Sequence, residues 1–340
     1  MIAEPAGGKR QLCVVVPVHN EAENVGAIAG RLADVAAGLP SWDMEVLFVD
    51  DGSTDASVQR IRELRSQGLP VGYIRLSKNY GHQAALCAGM DCAQGDAVIT
   101  MDADLQHPPE EIPRIVEAFE KGADVVQMVR NDPTGGGKGL LSQTFYNVFN
   151  RLSNTQIVPN AADFRLLSRR ALDALMRIPE REKFLRGLVP ALGFNQVSIE
   201  FDEAARLHGT PSYTFRSSLK LARKALFDYS TVPLQAVFWL GMIISVLSFS
   251  FGTGHFIWKL IAWNRVTAGF TDLITAIFFL SGCVLASVGI LGRYMIMILE
   301  QVRGRPAFVV MDHVRGAPMH MTREHKLDKV VEKATKEVLV

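Results

Sequence analysis

Ala97-Val-Ile-Thr-Met-Asp-Ala-Asp-Leu-Gln106 is a short apolar run that ends in two carboxylates one residue apart, and Pro108-Pro-Glu-Glu111 follows it as a helix start. Runs of the same kind recur at Leu12–Pro17, Glu45–Asp50, Val71–Leu76 and Asp124–Val129, separated by segments of helix-forming length. Short buried strands interleaved with helices predict βαβ units on a mostly parallel, Rossmann-like α/β sheet. Such a sheet binds its ligand outside the carboxyl ends of its strands. The polar residues that end these runs are therefore the candidates for chemistry: Pro17-Val-His-Asn-Glu21, Asp50-Asp-Gly-Ser-Thr-Asp55 and Asp102-Ala-Asp104.

In extended chain the carboxylates of Asp102 and Asp104 point the same way, and two like charges that close need a cation between them. Hard oxygen ligands suit Mg2+ or Mn2+, and Gln106 stands where it can supply another. In the second stretch Ser53 or Thr54 can cap a helix, but the pair Asp50 and Asp51 exceeds what capping requires. Carboxylates there are suited to accept from a nucleobase N–H or ribose hydroxyls. Asn20 and Glu21 have the same double reading. The histidines, His19, His82, His107 and His208 among them, show no metal-ligand spacing and receive no catalytic role.

Taken in order, Val14-Val-Val-Pro-Val-His-Asn-Glu21, Asp50-Asp-Gly-Ser-Thr-Asp55, Asn79-Tyr-Gly-His-Gln83 and Asp102-Ala-Asp-Leu-Gln-His-Pro-Pro-Glu110 resemble the inverting glycosyltransferase family two, with its GT-A nucleotide-sugar fold. With Asp163-Phe-Arg-Leu-Leu-Ser-Arg169, Phe184-Leu-Arg-Gly187, Gly289-Ile-Leu-Gly-Arg-Tyr294 and Val302-Arg-Gly-Arg-Pro306, the chain is similar to the polyprenyl-phosphate branch of that family, from about residue 11 to 310. The resemblance implies that Pro17, Asn20, Glu21, Asp50 and Asp51 cradle the nucleoside. It implies that Asp102, Asp104 and Gln106 hold Mg2+ or Mn2+ against the diphosphate, with Arg130 at the phosphates. Asp163 matches an acceptor-facing carboxylate, a candidate base or orienting group. The glycine-rich stretch Thr134–Lys138 matches an acceptor loop, and Lys138, Arg206 and Ser212, with Arg186 beside them, would meet a lipid phosphate. Arg293, where relatives often carry Glu, and Pro211 depart from the pattern.

The implied activity is a metal-dependent, inverting transfer of a hexose from a nucleotide sugar, UDP-linked by analogy with bacterial relatives, to polyprenyl (undecaprenyl) phosphate, giving a β-linked product. The alternatives are a GDP-mannose-dependent mannose synthase of the same branch and a catalytically silent nucleotide-sugar-binding scaffold. A processive polysaccharide synthase is disfavoured because no Arg-Trp dipeptide occurs. The resemblance also implies a homo-oligomer, with a tetramer as one state, and a flippase and a lumenal-side transferase downstream.

The 340 residues are 48% hydrophobic, with 36 Lys and Arg against 35 Asp and Glu, a net charge of +1 that gives no electrostatic argument for a nucleic-acid partner. Four cysteines without a CxxC pair form no zinc or disulfide framework. The apolar excess is concentrated: Tyr229–Trp258 is thirty residues, and Leu273–Gly292 twenty, without Asp, Glu, Lys or Arg. Both have the length to span a bilayer, which predicts transmembrane helices over 232–258 and 272–298. Arg216, Lys220, Arg223 and Lys224 precede the first, and Arg293, Arg303 and Arg305 end or follow the second, so the positive-inside rule predicts two cytoplasmic termini at a bacterial inner membrane. No signal peptide is expected. Residues 216–231 read as an amphipathic helix lying on anionic headgroups. The expected organisation is thus a cytosolic catalytic domain over 1–215, the amphipathic helix, two spans and a cytosolic tail over 299–340, with Ala307–Met311 as a short strand.

Overall fold

A computed structural model describes residues 9–131, 158–181, 183–203, 237–244, 246–247, 250, 253–254, 257 and 270–319. The chain divides into two compact units, one of residues 1–147, 155–211 and 306–340, the other of 148–154 and 212–305.

The first unit is built on eight strands: β1 (Arg10–Val18), β2 (Trp42–Asp50), β3 (Gly72–Leu76), β4 (Ala97–Thr100), β5 (Val125–Arg130), β6 (Ala161–Ser168), β7 (Gln196–Phe201) and β8 (Val310–Val314). They form one sheet in the order β7-β5-β6-β4-β1-β2-β3-β8. β1 pairs in parallel with β2 and β4, β2 with β3, and β5 with β7, while β6 runs antiparallel between β4 and β5 and β8 runs antiparallel to β3. The parallel α/β sheet expected from the spacing of the apolar runs is present. Strand β1 shows why it reads so clearly: Leu12, Val14, Val16 and Val18 enter one core and Cys13 and Val15 the other, so past Gln11 no position is left for a polar residue.

Helices α1 (Ala22–Ala37), α2 (Ser57–Ser66) and α4 (Ile112–Glu120) supply the first core through Val25, Ile28, Leu32, Ile61, Leu64, Ile115 and Phe119. Helices α3 (His82–Cys92), α5 (Arg169–Arg177) and α6 (Leu185–Ala191) supply the second through Leu86, Met90, Leu172, Leu175 and Val189. The Ser168 hydroxyl caps α5 by accepting from the Ala171 N–H at 3.2 Å. The segment expected as a tail contributes β8 and continues past it: Arg65 Nη1 donates to the Arg315 carbonyl at 2.9 Å, Gly316 N–H to Glu45 Oε1 at 3.0 Å, and Met319 is buried.

In the second unit, α7 (Phe270–Val302) is 33 residues long, and its part Leu280–Val302 is the one described helix long and apolar enough to cross a membrane. Leu285 and Val288 on it are exposed. The described residues of the other expected span, 237–244, 246–247, 250, 253–254 and 257, are helical, with Phe238, Trp239 and Leu247 exposed. The expected amphipathic helix, 216–231, lies outside the described residues.

Helix α3 sits close against β1 and β2 because residue 89 is glycine: a Cβ there would collide with the side chains of Val15 and Val49. Gly89→Val is expected to cost about 1–3 kcal/mol through overpacking. It would lower the Tm of the detergent-solubilised chain by several degrees, read by a thermal melt.

Candidate active site

The carboxyl ends of β1 to β5 and β7 share one edge of the sheet, and the antiparallel β6 begins there. The loops after β1, β2 and β3 are tied to one another at this edge. Asn20 adopts φ 58°, and its Oδ1 accepts from the N–H groups of Thr54 at 2.9 Å and Asp55 at 3.3 Å. Its own N–H donates to Ser53 Oγ at 3.0 Å. Asp51 Oδ1 and Oδ2 accept from the Tyr80 and Gly81 N–H groups at 2.7 and 2.8 Å, fixing the entry to α3. The ring of His19 lies 3.0 Å from the Asp51 carbonyl through Nδ1 and 3.0 Å from Asn79 Nδ2 through Nε2. Glu21 Oε2 accepts from Asn24 Nδ2 at 2.6 Å. Asp50 is fully buried, Oδ1 accepting from the Ser53 N–H at 3.1 Å, with Arg75 Nε 3.9 Å from Oδ2. Pro17 is buried in β1, past the last register partner on β4, where Val15 lies opposite Thr100.

The structure changes one local expectation. Strand β4 ends at Thr100, and Leu105 takes φ 63°, so Asp102 and Asp104 stand on a bent loop instead of one face of a strand. The loop is pinned from beneath by His107, whose Nδ1 accepts the Asp102 N–H at 3.0 Å. Its ring is buried, stacked on Phe164 at 5.3 Å and edge-on to Phe201 at 5.9 Å. Burial pushes the His107 pKa below its ordinary value, so the ring is neutral and can accept that bond. Gln106 N–H donates to Asp104 Oδ1 at 3.2 Å. Asp102 Oδ1 is buried and accepts no hydrogen bond, the kind of oxygen a cation would satisfy. No group of three or more His, Cys, Asp or Glu able to hold a metal occurs among the described residues. Two carboxylates and an amide oxygen fit Mg2+ or Mn2+ as such ions sit beside substrate phosphates.

Asp163 stands near the start of β6, which pairs with β4 up to Thr100 opposite Arg165, so it lies at the same sheet edge as Asp102. Its Oδ1 accepts from Arg165 Nη2 at 2.6 Å and its Oδ2 from Arg186 Nη2 at 3.0 Å and Gln83 Nε2 at 3.4 Å. His82 stands between the two acids, Nε2 lying 3.3 Å from Asp102 Oδ1 and 3.5 Å from Asp163 Oδ2. Burial works against a charge on Asp163, but the His82 hydrogen bond and the charges of Arg165 and Arg186 outweigh it and hold the carboxyl well below the usual range. Burial opposes charging His82 too, and there Asp163 and Asp102 prevail and raise its pKa. Arg130, at the end of β5, pairs through Nε with Glu203 Oε1 at 3.0 Å and is near enough to act on His107 electrostatically.

Thus Pro17, Asn20, Glu21, Asp50, Asp51, Asp102, Asp104, Gln106, Arg130 and Asp163 all lie along one sheet edge, while Lys138, Arg206 and Ser212 lie outside the described residues. Spacing alone passed over His82 and His107. The available signal was positional: His82 opens the helix after β3, and His107 follows the strand end at Thr100.

Residues 13–176 match the profile of glycosyl transferase family 2. The SfII prophage-derived bactoprenol glucosyl transferase of Shigella flexneri is 33% identical over 297 residues, 87% of this chain and 96% of that protein. The chain belongs to glycosyl transferase family 2. Its α/β fold is accordingly GT-A-like. An uncharacterized glycosyltransferase of Synechocystis sp. is 34% identical over 87% of this chain and 93% of its own length. Among solved structures, glucosyl-3-phosphoglycerate synthase of Mycobacterium tuberculosis, bound to Mn2+, UDP and glucosyl-3-phosphoglycerate, is 17% identical with a TM-score of 0.48, covering 67% of this chain and 84% of that one.

Arg165 is fully buried, and its Nε and Nη1 find no hydrogen-bond partner, so its charge depends on Asp163. Asp163→Ala would leave that charge uncompensated and is expected to destabilise the fold by about 3–5 kcal/mol. Because the folded pKa of Asp163 is depressed, the stability it contributes is full above the unfolded value of about 3.9 and is lost as pH falls toward the folded one. Melts from pH 7 downward should show wild type and variant converging.

Proposed function

We propose that the protein transfers a hexose, glucose from UDP-glucose being the first donor to test, to polyprenyl (undecaprenyl) phosphate at the cytoplasmic face of a bacterial inner membrane, inverting an α-linked donor to a β-linked lipid-phosphate sugar. The observation that carries this reading is topological. The chain leaves the catalytic sheet at Phe201, the end of edge strand β7, and re-enters it at Val310, the start of the opposite edge strand β8. Both points lie on the edge that bears Asp102 and Asp163. The intervening chain carries the helix of membrane-crossing length. A site whose edge is tethered at both ends to such a segment suits an acceptor whose phosphate lies at a bilayer surface and whose tail lies within it. The bactoprenol glucosyl transferases named among the relatives support the same acceptor and favour glucose.

The acceptor arrives as an ionised phosphate monoester, its second pKa near 6 leaving it mostly dianionic at neutral pH. No strong base is then required, and the barrier is met by positioning and by neutralising charge. Asn20, Glu21, Asp50 and Asp51 would bind the nucleoside. Asp51 combines that role with holding the entry of α3, since each of its oxygens retains a lone pair beyond the bond it accepts. Asp102, Asp104 and Gln106 would hold Mg2+ or Mn2+, which would offset the charge developing on the departing diphosphate. Arg130, Lys138, Arg206 and Ser212 would bind the two sets of phosphates. Two membrane helices, over 232–258 and 272–298, with both termini in the cytoplasm, complete the proposed arrangement.

The test is transfer from a panel of UDP- and GDP-sugars to undecaprenyl phosphate by the purified full chain, with and without Mg2+ or Mn2+, followed by mass spectrometry. A metal-dependent β-linked lipid-phosphate hexose is expected, and Asp104→Ala should lower its rate by about a hundredfold or more. An α-linked product, or donor binding without transfer across the panel, would overturn the reading.

A further inference from the structure

We propose that Asp163 is a positioning residue, which presents the guanidinium of Arg186 to the acceptor phosphate, and is not the base of the transfer. The inference rests on the proposed function and adds a role within it. In the transfer, an acceptor phosphate oxygen bonds to the anomeric carbon as the bond from that carbon to the diphosphate breaks, and the electron pair leaves with the nucleotide. The attacking oxygen is already ionised, so no proton has to be removed. Asp163 is also poorly built to remove one. Arg165 Nη2 lies 2.6 Å from Oδ1, Arg186 Nη2 3.0 Å from Oδ2, and Gln83 and His82 crowd the same Oδ2 at 3.4 and 3.5 Å. With two guanidiniums on its two oxygens the carboxylate is an acceptor already occupied, and a carboxyl held far below the working pH is a weak base.

The same contacts give the carboxylate another task. Arg186 is on α6, a seven-residue helix that opens without a side-chain cap, and it meets Asp163 twice, Nη2 donating to Oδ2 at 3.0 Å and Nε to Oδ1 at 3.4 Å. Such a two-point contact sets the plane and direction of a guanidinium. A third of the Arg186 side chain is exposed, whereas Arg165 below it is sealed off. The ring of His82 spans from Asp163 to Asp102, so the carboxylate that holds the guanidinium is one side chain away from the proposed donor-phosphate site. A cation held there suits a phosphate monoester, which takes bidentate Arg contacts.

The test compares Asp163→Asn, Arg186→Gln and the double variant in the full chain, reading KM for polyprenyl phosphate, kcat and the pH profile of kcat/KM. Arg186→Gln and Asp163→Asn should each raise that KM by about tenfold. The double variant should be no worse than the poorer single one, because both remove the same contact. The acid limb of the profile should stay in place in Asp163→Asn. A loss confined to kcat, an acid limb that disappears, or losses that multiply in the double variant would overturn the proposal. If Asp163→Asn fails to fold because Arg165 loses its counter-charge, Arg186→Gln still decides: calorimetric binding of a short-chain polyprenyl phosphate in detergent should weaken at least about fivefold, and unchanged affinity would overturn it. Wild-type protein that neither binds nor glycosylates polyprenyl phosphate would overturn the proposed function and this inference with it, whereas normal wild-type transfer with an unaffected Arg186→Gln would overturn this inference alone.

Discussion

The ion pair of Asp163 with Arg165 lies on β6, the antiparallel strand between β4 and β5. A guanidinium fully out of water is tolerated only where a charge meets it, and here one carboxylate oxygen at 2.6 Å does so. The arrangement constrains everything around it. Because Asp163 must serve Arg165 from the start of β6, it sits at the site edge, and its other oxygen is left to gather Arg186, Gln83 and His82. The His82 ring then links it to Asp102. A structural charge pair and a chemical site are thus one construction, and the same negative charge is shared between them.

The donor side is held by a different device, backbone amides captured by side chains from neighbouring loops. Asn20 holds the loop after β2, and Asp51 holds the entry to α3 after β3. Gly52 permits the close approach: its φ is 65°, and a Cβ there would collide with the backbone of Lys78 and Asn79. These contacts keep three loops in fixed relation without occupying the whole of any carboxylate. The polar signatures at the strand ends therefore have both of the meanings their residue types allow. They cap and tie the loops, and they leave acceptor oxygens at the edge where a nucleotide would lie.

The five strands legible in the sequence are parallel strands between helices, which admit apolar residues at nearly every position and so read as unbroken runs, whereas β6, buried throughout, is interrupted by Asp163 and Arg165. β7 is harder to see, since Val197 and Ser198 are exposed at the sheet's edge. β8 is short, partly exposed and separated from its partner β3 by well over two hundred residues, and the strand expected over Ala307–Met311 lies instead at Val310–Val314. Family resemblance marked Asp102, Asp104 and Asp163, but His82 and His107 act through tertiary contacts that no spacing encodes. His107 resembles any buried core histidine until the Asp102 N–H is seen on its Nδ1. The extended geometry assumed for Asp102 and Asp104 failed for a local reason, the left-handed turn at Leu105 that no propensity of leucine favours.

The position of β8 bears on how the sheet can be completed. Between Phe201 and Val310, about a hundred residues, no described residue joins the sheet, yet closing so long a loop costs only slightly more entropy than closing one half its length. The return is held by more than ladder hydrogen bonds: Arg62 pairs with Asp312 at 3.3 Å, Arg65 donates to the Arg315 carbonyl, and Gly316 packs where a Cβ would strike the backbone of Gly72 and Pro70. Without β8, strand β3 would be an exposed apolar edge with unpaired N–H and C=O groups, the usual template for aggregation. The segment that carries the membrane-length helix therefore lies between two parts of the same sheet, and the catalytic fold reaches its final edge only after that segment has been made. Completion of the catalytic unit thus follows synthesis of that helix in a fixed order along one chain.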